Sequence, residues 1–172
     1  MPETDVTPTA VVLGVGNPLY GDDGFGVEAL DALAQRYRFG RAVCLVDGGT
    51  EGLGLLGLIE DASELIILDA VAGPGHPGDC VEVAGDGLCG ATPLSLSEHQ
   101  VSIREVLGLA AWRGRLPQRT VLLGVVAERL DLGPGLSPAV SAAMPVVLER
   151  TAEWLARWGY PPEPREVIAS HA

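Results

Sequence analysis

The run Val11-Val-Leu-Gly-Val-Gly-Asn-Pro-Leu-Tyr-Gly-Asp-Asp-Gly-Phe-Gly-Val-Glu-Ala-Leu30 constrains the fold more than any other part of this chain. It opens as a buried apolar strand, breaks at a tight Gly/Asn/Pro turn, passes two adjacent carboxylates and enters a helix. The turn places Asp22 and Asp23 at the carboxyl end of a strand, the edge at which open α/β sheets bind ligands. Nucleotide-binding proteins usually put phosphate-friendly donors there, whereas this chain puts negative charge. Two carboxylates at a sheet edge suit a cation or acid/base chemistry, not an anion.

Strand-like and helix-like runs alternate along the rest of the chain. Residues 10–16 form the first strand. Residues 25–38 form a helix with Val27, Leu30, Leu33, Ala34 and Tyr37 on one face. A second strand, 41–46, ends in Asp47-Gly-Gly-Thr50, and a short helix over 53–59 follows. Residues 64–70 read as a third buried strand with Asp69 at its end. After the Gly/Pro loop 73–78, residues 80–83 read as a short edge strand. Ser97-Glu-His-Gln100 has the form of a capping box, with Ser97 as N-cap. Ile103, Val106, Leu107, Ala110 and Ala111 continue as the buried stripe of that helix. Residues 119–126 are another continuous apolar strand, and Ser137-Pro138 opens the last helix with proline at its permitted first position. Continuous apolar strands between helices imply a largely parallel sheet covered on both faces. The 172 residues fit a single domain, 1–172, with an ordered core over about 10–159 and a frayed, Pro- and Glu-rich tail over 160–172.

Bulk properties narrow the partners. The formal charge of −12 disfavours nucleic acid and anionic membrane. All 11 basic residues are arginine, which excludes a Schiff-base lysine, a P-loop lysine and a Ser–Lys pair. Cys44, Cys80 and Cys89 are odd in number and irregularly spaced, which points to a reducing compartment and away from a structural zinc or redox motif. The acidic N-terminus has no signal-peptide core, and no run approaches the roughly 20 apolar residues needed to span a bilayer. A soluble cytoplasmic protein is expected.

Several residues carry candidate chemistry. A dinucleotide-binding G-x-G-x-x-G pattern fails at Leu19, where the third glycine belongs. Acidic residues recur at strand ends: Asp22 and Asp23, then Asp47, then Asp69. Taken singly, each suits helix capping or a turn, and Asp22 is a candidate cap for the helix that follows. If the first and third strands are neighbours, Asp23 and Asp69 converge on one crevice. His99 falls in the first turn of its helix, where the positive helix end disfavours protonation and keeps the imidazole available to a metal. Two carboxylates and one imidazole with open positions suit a borderline divalent metal. His76, in the Gly/Pro loop, and His171, in the tail, are weaker candidates. No G-x-S-x-G elbow and no H-E-x-x-H helix is present. Cys44, inside an apolar strand, reads as inert core. An Asp23–Asp69 dyad sharing one proton stays open.

Gly14-x-Gly-Asn-Pro-Leu-x-x-Asp-Asp-Gly-x-Gly26 resembles the opening motif of the hydrogenase maturation proteases, which process the large subunit of nickel–iron hydrogenases. The resemblance continues through Asp47-Gly-Gly-Thr50, Ile67-Leu-Asp-Ala70, Ser97-Glu-His-Gln100, Leu123-Gly-Val125 and Gly135-Leu-Ser-Pro138, in family order, over roughly positions 10–158. It implies a three-layer α/β/α sandwich with a mixed, mostly parallel, five-stranded sheet. It also implies a metal site that falls here on Asp23, Asp69 and His99; some members carry glutamate in place of Asp23. The metal it implies is nickel already held by the substrate, other divalent metals being able to substitute. The partner is a nickel–iron hydrogenase large-subunit precursor, from which a C-terminal extension is removed. Asp47, Gly48, Gly49 and Thr50 are candidate contacts to the substrate backbone. Two alternatives compete: a metal-independent aspartic-type peptidase using Asp23 and Asp69, and a non-catalytic module that binds the precursor.

Overall fold

The computed structural model describes residues 10–88 and 102–165. Its elements are β1 (Ala10–Val15), α1 (Phe25–Arg36), β2 (Tyr37–Arg38), β3 (Val43–Gly49), α2 (Leu56–Asp61), β4 (Glu64–Val71), β5 (Cys80–Ala84), α3 (Ile103–Trp112), β6 (Arg119–Val126), α4 (Pro138–Arg157) and β7 (Glu163–Pro164). The main sheet has the order β3-β1-β4-β6-β5. β1, β3, β4 and β6 run parallel, and β5 closes one edge antiparallel to β6. The sheet is therefore mostly parallel, as the apolar strands imply, and five-stranded and mixed, as the family resemblance implies.

β1 and β4 are buried along their whole length, and β6 from its second residue onward. Helices cover both faces of these strands, so neither face needs polar residues and alternation disappears from the sequence. On one face α1 and α4 bring Phe25, Leu33, Val140 and Leu155 against Val12, Ile66, Leu68 and Val121. On the other, α2 and α3 bring Ile59, Val106 and Leu107 against Leu13, Leu65 and Ile67. α1 lies very close to the sheet because Gly26 has no side chain: a Cβ there would stand 2.1 Å from the Leu68 carbonyl oxygen and 2.4 Å from that of Val15. The pairing Gly14↔Leu68 sets β1 directly beside β4, so the carboxyl ends of the first and third strands of the sequence reading are neighbours.

Several boundaries differ from the sequence reading. α1 stops at Arg36, and Tyr37–Arg38 pairs with Glu163–Pro164 as a separate small sheet. Residues 161–165 are accordingly tied down, the Arg165 N–H donating to the Arg36 carbonyl at 2.8 Å; residues 166–172 lie outside the described residues. The Tyr160 hydroxyl reaches Glu64 Oε2 at 3.1 Å. Glu64, buried at the amino edge of the sheet, also pairs with Arg119, whose guanidinium lies 5.5 Å over the Trp158 ring. The helix after β3 starts later than expected, at Leu56, behind a 3-10 turn over Gly52–Leu55. α3 begins at Ile103, and its capping box is formed by Ser102 and Glu105 rather than by Ser97 and Gln100. Ser97, His99, Gln100, Cys89 and His171 lie outside the described residues. Cys44 sits half-buried on the edge strand β3, not in the core. No helix among the described residues is long and apolar enough to cross a membrane.

Candidate active site

The turn after β1 is shaped by one glycine and one asparagine. Gly16 adopts φ +123°, and a Cβ there would meet the Asp23 carbonyl oxygen at 1.8 Å. Both the backbone conformation and the close approach exclude a side chain. The Gly16 N–H donates to the Gly49 carbonyl at 2.9 Å, which ties the turn after β1 to the end of β3. Asn17 then organises the crossing: its Oδ1 accepts from the Leu19 N–H at 3.0 Å, and its own N–H donates to Asp23 Oδ2 at 2.9 Å. Asp23 rides on a short 3-10 turn, Gly21–Gly24, and no donor reaches its Oδ1 among the described residues.

Asp23 is half-buried, and burial raises its carboxyl pKa against the opposing pull of the Asn17 N–H. Asp69, inside β4 and two residues before its end, is only 5% exposed. Burial pushes its pKa well above the ordinary aspartate value, the nearby Asp23 charge adds to the rise, and the Ala70 N–H opposes it. Asp69 therefore feels the Asp23 charge, as expected if the first and third strands were adjacent. Such a pair resists carrying two negative charges at once. It can hold a proton in common, or it can take a cation that relieves the repulsion. Among the described residues no group of three metal-ligating side chains forms.

Asp22 has a different task from the one its sequence position suggests. It does not cap α1. Its side chain is fully buried, with Oδ2 accepting from the Glu128 N–H at 2.8 Å and the Arg129 N–H at 2.9 Å, and Oδ1 accepting from the Ser137 N–H at 2.6 Å. Burial alone would raise its pKa; these three N–H groups and the Ser137 hydroxyl outweigh it and hold the carboxyl below its ordinary range. Ser137 is the N-cap of α4, its hydroxyl accepting from the Val140 N–H. Asp22 thus fastens the turn carrying Asp23 to the loop after β6 and to the start of α4. Neither this role nor that of Asn17 was anticipated from the sequence.

The Asp47-Gly-Gly-Thr50 segment reaches the same edge. β3 extends through Gly49, so Asp47 lies inside the strand rather than after it. Its pairing slips from Gly14↔Asp47 to Val15↔Gly49, a bulge that leaves buried Gly48 without a partner. The exposed Asp47 carboxylate accepts from the Gly49 N–H at 2.9 Å, and Thr50 is exposed. His76 is exposed on its loop, its N–H donating to Asp79 Oδ2 at 2.7 Å, and stands apart from these residues in the contacts it makes.

A family model described as hydrogenase maturation protease matches residues 27–154. The hydrogenase expression/formation protein HoxM of Cupriavidus necator is 42% identical over 159 residues, covering 90% of this chain and 78% of that protein. The hydrogenase 2 maturation protease of Escherichia coli is 35% identical over 159 residues, covering 92% and 97%. Among solved structures, the hydrogenase maturating endopeptidase HybD of E. coli superposes with a TM-score of 0.84 at 34% identity, over 91% of this chain and 97% of that one. HybD of Thermococcus kodakarensis gives 0.67 at 25% identity, over 84% and 97%.

Proposed function

This chain belongs to the hydrogenase maturation protease family and is a peptidase, and on that footing we propose that it removes the C-terminal extension of a nickel–iron hydrogenase large-subunit precursor once nickel has been inserted. The observation that carries the reading is the convergence of Asp23 and Asp69 at the carboxyl edge of β1 and β4. Two neighbouring carboxyl groups, both made reluctant to ionise by burial and one of them also by the other's charge, form a donor set suited to a divalent cation, which would draw both into the ionised form. His99 completes the set as the neutral nitrogen ligand.

In this reading nickel is part of the substrate, and Asp23, Asp69 and His99 recognise it. Docking on it brings the scissile bond into register, which converts an encounter into a positioned reaction. Hydrolysis adds water to the carbonyl carbon and breaks the C–N bond, and the departing nitrogen takes up a proton. In this reading the aspartate pair accepts a proton from the water and returns it to that nitrogen. Other divalent metals should occupy the same donor set. Asp47, Gly48, Gly49 and Thr50, tied to the turn through the Gly16–Gly49 hydrogen bond, are assigned to the substrate backbone. The reaction belongs in the cytoplasm.

A second reading has an observation of its own. The elevated pKa of Asp69 beside Asp23 is the electrostatic pattern of a carboxyl dyad that shares a proton and needs no metal. Replacing His99 by alanine separates the two, since a metal-independent dyad would keep its activity. For the function itself, purified chain incubated with a nickel-containing precursor should shorten the precursor by its C-terminal peptide in mass spectrometry. The Asp23→Asn and Asp69→Asn variants, folded by circular dichroism, should leave it intact. Full cleavage by both variants would overturn the assignment of these aspartates, and binding without cleavage by the unaltered chain would overturn the proposed reaction.

A further inference from the structure

Beside the two aspartates the surface turns apolar. Leu19 and Tyr20, on the turn after β1, are 60% and 43% exposed, and Leu130 and Leu132, on the loop after β6, are 43% and 73% exposed. The two segments are joined backbone to backbone. The Gly133 N–H donates to the Leu19 carbonyl at 2.8 Å, the Gly21 N–H to the Gly133 carbonyl at 2.8 Å, and the Asp22 N–H to the Arg129 carbonyl at 2.9 Å. From below, Asp22 holds the N–H groups of Glu128 and Arg129. From above, the Arg129 guanidinium donates to the Gly133 carbonyl at 3.1 Å and pairs with Asp131 at 3.2 Å.

The loop is therefore firmly held while its large apolar side chains stand in water. Large exposed apolar side chains gathered on two backbone segments that are bonded to each other mark an interaction site. Its position says what must lie on it. Leu19 and Tyr20 share the turn after β1 with Asp23, and Asp22 ties that turn to the loop after β6, so the ledge lies next to Asp23, within reach of a chain that brings a peptide bond to it. Its charge says what kind of chain. Glu128 and Asp131 are exposed on the loop, its arginine is already engaged with Asp131 and Gly133, and the whole protein carries −12. An acidic segment would be repelled, while a basic one would be drawn in.

We infer that the ledge formed by Leu19, Tyr20, Leu130 and Leu132 docks an extended segment of the protein substrate that carries apolar side chains beside the scissile bond and basic residues flanking them. The inference rests on the peptidase reading above. Its test compares the unaltered chain with Leu132→Ser and with Leu130→Ser/Leu132→Ser, using a purified nickel-containing large-subunit precursor as the probe. Binding is read by isothermal titration and cleavage by mass. Both variants should melt like the unaltered chain, because these side chains are exposed. Kd and KM should rise, by about tenfold in the double variant, with the effect carried in KM rather than kcat. Affinity should also fall as salt rises. If the unaltered chain cleaves and the double variant binds equally well, the inference fails alone. If the unaltered chain neither binds nor cleaves, the peptidase reading fails and takes the inference with it. A dimer of this chain that the same substitutions disperse would give the ledge to a second copy and overturn the assignment.

Discussion

Asp22 and Asp23 are consecutive in sequence yet sit in opposite environments: Asp22 is fully buried and accepts three backbone N–H groups, whereas Asp23 is half-buried and accepts one, from Asn17. Their pKa values move in opposite directions as a result. The fixed donors around Asp22 outweigh burial and stabilise its charge, while burial prevails at Asp23 and makes its charge costly. Asp22 builds the turn, and Asp23 is the neighbour that the proposed function assigns to the chemistry.

Replacing Asp22 by alanine should therefore cost stability first. Three N–H groups lose their acceptor in a buried position, and the expected loss is about 3 kcal/mol in urea unfolding. Because the folded pKa lies below the unfolded one, the contribution of Asp22 is present above the ordinary aspartate range and disappears as pH falls through the folded value. The difference between Asp22→Ala and the unaltered chain should shrink below about pH 4. A constant difference down to pH 2 would contradict this role.

Asp69→Asn should do the reverse. The folded pKa of Asp69 is raised, so the unaltered protein loses stability as pH rises from the ordinary aspartate range through the folded value. At pH 7 the amide removes that cost, and the variant should melt a few degrees higher while losing processing activity. The two melting curves should converge in acid. A variant less stable at pH 7 would show that the carboxylate is a structural asset.

The strands, and the meeting of Asp23 with Asp69, were legible because continuous apolar runs and strand-end acids are local signals that a parallel sheet turns into proximity. The task of Asp22 was not, because its partners lie more than 100 residues away, at Glu128, Arg129 and Ser137, and the only local alternative was a helix cap. Two capping boxes compete before α3, Ser97 to Gln100 and Ser102 to Glu105. The apolar stripe begins at Ile103, and the box next to it is the one that forms the cap. β2 and β7 span two residues each, one including a proline, too short for any period to register. The apolar ledge left no signal either, since Leu19 and Tyr20 meet Leu130 and Leu132 through backbone bonds at Gly133 and Arg129, more than 100 residues along the chain.

Gly26→Ala should damage the fold rather than the chemistry. Its Cβ would press on two carbonyl oxygens of the sheet, and backbone cannot yield as a flexible side chain would. The expected loss is about 3 kcal/mol, with α1 displaced from β1 and β4. Thermal unfolding followed by circular dichroism checks this; a melting point equal to that of the unaltered chain would show that α1 has room to move.

His99 gives a prediction on pH. A metal-binding imidazole must be neutral, so processing should fall in acid once the imidazole is protonated. His99→Ala should remove most activity across the range. A rate that stays flat down to about pH 5, or a fully active His99→Ala, would favour the metal-free dyad.

The most direct measurement pairs one precursor in two states. The purified chain is incubated with a nickel-loaded hydrogenase large-subunit precursor and, separately, with the nickel-free form, and the mass of each is followed over time. Loss of a C-terminal peptide from the loaded form alone is the result expected from the proposal that Asp23 and Asp69 recognise the metal that the substrate carries. Equal cleavage of both forms would contradict it and leave the aspartates as a proton-sharing dyad indifferent to nickel.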